Sequence, residues 1–420
     1  MPSLLARAYA WGRRFLPIGW RRALRRLLPV ERLFGIEKPQ SAARTALLTQ
    51  ANLVANGPDL IFLPVIPWFY RWQRPQQLAS ALARRGRRVF YGTLGGPGEP
   101  REAALSETGV ILLPIPGIRW EDPPDRRLGG RALDEAQAAF GGYREQFGLE
   151  RAALVAETPY WEPLLVDLRR RFGWKAVFDC LDDYSAFAKN RGPLLKESED
   201  RLTAAADLVL ATSRLLFEKA QRGSPNVRLL PNACDYEMFA GVGPGRPSGT
   251  ALRIGYFGAL EDWFDAELVA EVARRRPDWT FELVGEAEPA IRAALETRVN
   301  VRLRGERPYA DLPNCLEACD VFVIPLKVTP LTNVVDPVKF YEAAAAGRPI
   351  VATPMAQLEP LAAMGLVRLA ATAEDFERQI EAAAAEADEI GPRLREYARE
   401  NTWRRRARDL EDAVAGLFLP

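Results

Sequence analysis

The segment Asp336-Pro337-Val338-Lys339-Phe340-Tyr341-Glu342 holds the residues best placed to do chemistry. Pro337 suits the first turn of a helix, with Asp336 as its cap. Gly347 offers a left-handed end and Pro349 blocks continuation, so the spacing predicts a short helix followed at once by a strand at Ile350–Thr353. A helix N-terminus that faces a cleft attracts phosphate, and Lys339 in the first turn adds a full positive charge. Glu342, one turn on, offers a carboxylate able to accept two hydroxyl hydrogen bonds from a ribose.

Two further groups stand out. Asp182 and Asp183 follow a strand-like run, and adjacent carboxylates raise one another's pKa, so either could serve as base on an acceptor hydroxyl. The chain has no histidine. That excludes Ser-His-Asp and Cys-His catalysis and imidazole bases, and leaves proton transfer to Asp, Glu, Lys, Tyr or Cys. The stretch Trp68-Phe69-Tyr70-Arg71-Trp72-Gln73-Arg74 follows another strand. Aromatics there can stack on sugar faces and arginines can fork onto phosphates, which makes Trp68, Arg71 and Arg74 acceptor-binding candidates. The same residues would also suit an aromatic loop packed on its neighbours, and the aspartates a simple cap and turn.

These groups need a scaffold. From Asp59 the sequence alternates strand and helix. Asp59–Val65, Arg88–Thr93, Val110–Ile115, Ala152–Ala156, Ala176–Leu181, Leu208–Thr212 and Val227–Leu230 are continuous apolar runs, the pattern of a parallel sheet covered on both faces. Residues 240–250 are rich in glycine and proline and mark a boundary. The rhythm restarts at Arg253–Phe257, Thr280–Val284, Val299–Leu303, Val321–Pro325 and Ile350–Thr353. The expectation is an α/β protein with two doubly wound, Rossmann-like domains facing a cleft, at about 55–240 and 250–400. A basic-then-apolar helix, 401–420, closes the chain.

At 420 residues, with 48% hydrophobic and 27% charged residues, the chain can build two cores. A net charge of +2 gives no whole-molecule attraction to nucleic acid, which is not expected as a partner. Four cysteines without C-x-x-C spacing fit a reducing compartment and no metal site. No run approaches the ~20 apolar residues of a membrane span. The first thirty residues carry seven arginines and no acid. Trp20, Ala23, Leu24, Leu27 and Leu28 share one helical face, and Arg21, Arg22, Arg25 and Arg26 the other. Residues 1–28, within a basic amphipathic segment 1–40, are therefore expected to lie on an anionic membrane surface, with the protein cytoplasmic and peripherally bound.

The stretch from Lys339 to Ala352 resembles the nucleotide-sugar signature of GT-B-fold glycosyltransferases of the family-4-like group (glycosyl transferases group 1). Lys339-Phe340-Tyr341-Glu342 and Ala346-Gly347-Arg348-Pro349-Ile350-Val351-Ala352 match it closely. The resemblance implies that Glu342 binds the donor ribose. Many members carry a second glutamate eight positions earlier; here Val334 stands there, which leaves Thr332, Asn333 or Asp336 for that work. Ile254-Gly255-Tyr256-Phe257-Gly258-Ala259 resembles the opening strand and glycine turn of the donor domain, where Gly258 and Ala259 approach a pyrophosphate. The Arg and Lys common after that turn are replaced by Leu260-Glu261-Asp262, so Lys339 leads as the phosphate ligand. Arg307, after Gly305-Glu306, resembles the loop beside the nucleotide base. The aromatic loop and the Asp182–Asp183 pair resemble those of bacterial teichuronic-acid-type polysaccharide glycosyltransferases.

The implied activity is transfer of a sugar from a nucleotide-sugar donor to a lipid-linked saccharide or polysaccharide acceptor in cell-surface glycan synthesis. No cofactor and no tightly held metal are implied, since the Asp-x-Asp metal signature is missing. A sugar-nucleotide epimerase of the same fold, or a non-catalytic sugar-nucleotide-binding or membrane scaffold protein, are the alternatives.

Overall fold

The computed structural model describes residues 57–96, 98–118, 127–186, 193–243 and 251–419. The amphipathic segment expected to meet a membrane lies outside them.

Two sheets organise the chain. The first holds β1 (Asp59–Leu63), β2 (Val89–Thr93), β3 (Ala104–Leu105), β4 (Ile111–Pro114), β5 (Ala152–Ala156), β6 (Lys175–Cys180), β7 (Leu208–Ala211) and β8 (Val227–Leu229), in the order β3-β4-β2-β1-β5-β6-β7-β8. Only β3 runs antiparallel, against β4. The second sheet holds β9 (Arg253–Phe257), β10 (Thr280–Val284), β11 (Val301–Gly305), β12 (Val321–Ile324), β13 (Ile350–Ala352) and β14 (Arg368–Leu369), in the order β11-β10-β9-β12-β13-β14. All its pairings are parallel. β1 and β9 each open a half and sit where the strand order reverses, so each half has its crevice at the carboxyl ends of those strands.

The apolar runs explain the parallel sheets. β1 and β5 are buried at every position, and alternate residues of β1 feed opposite cores: Ile61 and Leu63 one, Leu60 and Phe62 the other. Helices must cover both faces of such strands. The two-residue strands β3 and β14 are too short to leave a pattern in the sequence.

Two helices line the cleft, α1 (Arg74–Arg84) and α2 (Val338–Ala345), and two more pack behind them, α3 (Ala387–Glu400) on α2 and α4 (Trp403–Gly416) on α1. The Thr402 hydroxyl caps α4 by accepting from Arg405 N at 3.2 Å. α4 lies along α1: Ala407, Leu410 and Val414 share a core with Leu78 and Leu82, and Arg85 pairs with Glu411 at 2.8 Å. The chain thus crosses between the halves twice. The crossings touch, since Cys234 N donates to Asn401 O at 3.2 Å and Trp403 N donates to Cys234 O at 3.1 Å.

All four cysteines are free thiols. Among the described residues no helix is long and apolar enough to cross a membrane.

Candidate functional site

The carboxyl edges of the two sheets enclose a cleft of ≈ 910 Å³. Its C-terminal wall is built on glycines. β9, β10 and β11 end at or just before Gly258, Gly285 and Gly305, with φ of 136°, 152° and 73°. The turns are laced together: Gly258 N donates to Val284 O and Gly285 N to Gly305 O, both at 2.9 Å. A Cβ on Gly285 would lie 1.8 Å from Gly258 O, so no side chain fits there. Gly285 escaped the sequence reading, although Leu283-Val284-Gly285 repeats the apolar-strand-then-glycine pattern of Tyr256-Phe257-Gly258.

Lys339 reaches over this row. A Cβ on Gly258 would lie 3.0 Å from Lys339 Nζ, and that ammonium sits 5.4 Å from the Tyr256 ring centre. Burial lowers its pKa, Glu342 opposes the shift and Arg71 reinforces it. Glu342, 4% exposed, lines the same cleft. Burial pushes its carboxyl up to about 7, against the nearby Tyr309 hydroxyl and Lys339. A cation and a poised carboxylate thus stand one turn apart beside a close-approach glycine turn. Ala259 and Arg307 line the wall too, and Arg307 is exposed.

Other candidates are engaged within the protein, although Asp336 lines the cleft. α2 begins at Val338 with Pro337 in the cap position and no side-chain cap, which corrects the assignment of Asp336. Asp336 instead ties the halves together: its carboxylate accepts from Asn232 N at 2.7 Å and from the Tyr341 hydroxyl at 3.1 Å. Burial raises its pKa to about 6. Asn333 turns its amide oxygen to Ala356 N at 2.7 Å and is not in the cleft lining. Thr332 lines the cleft, but its hydroxyl is engaged with Lys327 O and with Thr329, in the cap of the turn Pro330–Asn333. Val334 packs against the core of the N-terminal half and so joins the domains.

On the N-terminal wall the same sorting occurs. The Arg74 guanidinium is buried and bidentate to Asp179 at 2.9 and 2.8 Å, and it also donates to Pro231 O and Asn232 Oδ1. Four of its five N–H groups are thereby used, which removes it as an acceptor ligand. Trp68 is 5% exposed and packs edge-on to Trp72 and Tyr91. Trp72, half-buried, and Tyr70 offer the more open aromatic faces. Gln76 pins this loop from α1, donating to Pro67 O and Arg71 O. Glu99 holds it from the other side by accepting from Phe69 N at 3.4 Å, and burial pushes its carboxyl to about 7. Arg71 reaches across the cleft, its Nε donating to Glu306 Oε1 at 2.8 Å.

The two aspartates separate. Asp183 is ion-paired to Lys219 at 2.9 Å, and Lys219 also holds Glu199. Asp182 lines the cleft; burial, and then the charge of Asp183, raise its pKa to about 6. Among the described residues no group of three or more His, Cys, Asp or Glu is arranged to hold a metal ion.

Known proteins share the architecture that carries this cleft. Residues 251–386 match the profile of Glycosyl transferases group 1. The chain is 28% identical over 214 residues to TuaH of Bacillus subtilis (strain 168), a protein named for a glycosyltransferase role in teichuronic acid biosynthesis. That match covers 46% of this chain and 53% of TuaH, so the chain spans about half the length of that relative. Sucrose-phosphate synthase from Thermosynechococcus elongatus superposes with a TM-score of 0.68 at 18% identity, covering 86% of this chain and 99% of that one. The Anabaena protein HepE, in complex with UDP and glucose, gives 0.61 at 14% identity, covering 86% and 100%. The chain therefore carries a glycosyl transferases group 1 domain within the two-domain GT-B fold.

Proposed function

We propose that this protein is a glycosyltransferase that moves a sugar from a nucleoside-diphosphate sugar to a saccharide hydroxyl. The observation that carries this is the placement of Lys339 against the Gly258 turn, with Glu342 one helical turn on in the same cleft wall, within the group 1 domain. Lys339 takes the diphosphate, Glu342 the ribose hydroxyls, and Arg307 stands beside the base. Burial gives the bonds of Lys339 and Glu342 more weight than they would have in water.

The acceptor enters from the N-terminal wall, along Tyr70 and Trp72, towards Asp182. Deprotonated, Asp182 takes the proton of the attacking hydroxyl as that oxygen bonds to the anomeric carbon and the diphosphate leaves. With the domains closed, water is excluded and hydrolysis of the donor is suppressed. The likeness to TuaH supports a polysaccharide or lipid-linked acceptor of the cell surface. Residues 1–28 would bring the protein to such an acceptor from the cytoplasmic face of the membrane. Lys339 stands where the leaving diphosphate's charge develops and meets part of it.

The test is transfer from a panel of nucleotide-sugars to lipid-linked saccharides, with Glu342→Ala as control. Loss of a charge-assisted hydrogen bond should weaken donor binding by ~1.5–3 kcal/mol. A wild-type protein that binds no nucleotide-sugar, or a Glu342→Ala variant with unchanged affinity, refutes the assignment.

A further inference from the structure

The donor wall is short of positive charge. Among the described residues of the C-terminal half, Lys339 and Arg307 are the lysines and arginines that line the cleft, Arg307 is exposed, and the residues after the Gly258 turn include Glu261 and Asp262. Burial, moreover, disfavours the lysine's charge. A nucleoside diphosphate brings more negative charge than one such ammonium can balance. A second cation is already in place, and it belongs to the other half of the molecule.

Arg71 leaves the aromatic loop of the N-terminal wall and crosses the cleft. Its Nε donates to Glu306, the residue directly after Gly305. Gly305 O accepts from Gly285 N, and Gly285 packs on Gly258, so Glu306 holds Arg71 against the row of glycine turns. The guanidinium rests 5.0 Å from the Tyr70 ring centre. It is near enough to Lys339 to disfavour that lysine's charge, while Glu306 and Glu261 favour its own. Among the described residues only its Nε has a protein hydrogen-bond partner. The terminal nitrogens, which make the fork that suits a phosphate, have none.

We propose that Arg71 is a ligand of the donor diphosphate supplied from the opposite domain, with Glu306 as the placeholder that the diphosphate displaces. This rests on the donor reading above and reassigns Arg71 from acceptor to donor. It also makes donor binding a bridge between the halves, since one end of the diphosphate is held by Lys339 and the other from the N-terminal wall.

The experiment is calorimetry of the full chain with UDP, GDP and ADP, and with the corresponding monophosphates and nucleosides. Arg71→Ala should weaken diphosphate binding on the order of 10- to 100-fold, with nucleoside binding unchanged. Arg71→Lys should restore part of the loss. Glu306→Ala, which frees Arg71 without removing a phosphate ligand, should keep or raise diphosphate affinity. A fall with Glu306→Ala as large as with Arg71→Ala overturns the proposal, because the ion pair would then only shape the cleft. Unchanged diphosphate affinity in Arg71→Ala, with a loss in Lys339→Ala, overturns it while leaving the donor pocket standing. If neither variant changes affinity, or no diphosphate binds the wild type, the donor pocket fails and this inference with it. Melting temperatures within a few degrees of wild type exclude misfolding as the cause.

Discussion

Replacing Asp182 by Asn should cut turnover by ~10²–10⁴ while leaving donor affinity nearly intact, the usual worth of a positioned general base. Asp182 lines the cleft and has a pKa near 6, from burial first and from Asp183 second. A base works deprotonated, so the rate should be full above that value and fall roughly tenfold for each pH unit below it. Asp183→Asn separates the two causes. It removes the second and leaves burial, so the acid limb should move down from about 6 but stay above the ordinary 3.8. Lys219 keeps Glu199 at 2.7 Å in that variant, so no lysine is stranded by the change. The assay is initial-rate transfer at saturating donor and acceptor between about pH 4.5 and 8, with donor affinity measured separately. The reasoning is refuted if Asp182→Asn stays within tenfold of wild type, or if Asp183→Asn suffers the larger loss.

Three other outcomes follow from the same geometry. Gly258→Ala forces a side chain into a φ of 136° and against Lys339 Nζ; a strain of about 1–3 kcal/mol should appear as weaker nucleoside diphosphate binding by calorimetry, and unchanged affinity would contradict the close approach. Arg74→Ala leaves Asp179 buried at 0% exposure without its partner and should destabilise the N-terminal half by about 3–5 kcal/mol in chemical denaturation, while Arg74→Met with Asp179→Leu should recover most of it. Glu99 titrates near 7 in the folded protein against 4.5 ordinarily, so its contribution is intact below pH 4.5 and is lost as pH rises through 7. Glu99→Gln should therefore flatten the decline in stability over that window, and a decline as steep as wild type would remove Glu99 as its source.

The strands were legible because their physics is local. Continuous apolar runs such as Leu60-Ile61-Phe62-Leu63 leave few options. That Lys339 and Glu342 share one wall of the cleft was legible because helix periodicity puts residues three apart on one face. The roles of Arg74, Asp336 and Asn333 were not. Each is a polar residue whose partner lies far along the chain: Asp179, Asn232 and Ala356 respectively. Sequence shows that such a residue can bind something; only the fold shows that the protein itself has taken it. The same applies to Asp182 and Asp183, identical in type and adjacent, and told apart by the cleft that Asp182 lines and the lysine that holds Asp183.

The packing of α4 on α1 has a consequence for how the molecule is made. Leu78 and Leu82 emerge early in synthesis, but their cover, Ala407, Leu410 and Val414, is translated more than 300 residues later. The second sheet meets no such delay, because its strands and their covering helices lie close in sequence. The half that is synthesised first is thus finished last. A nascent chain carries an open apolar face on α1 throughout elongation, and a ribosome that stalls before residue 403 releases a product with that face bare. Such a product is a client for chaperones and proteases, even though every residue of the first sheet is present.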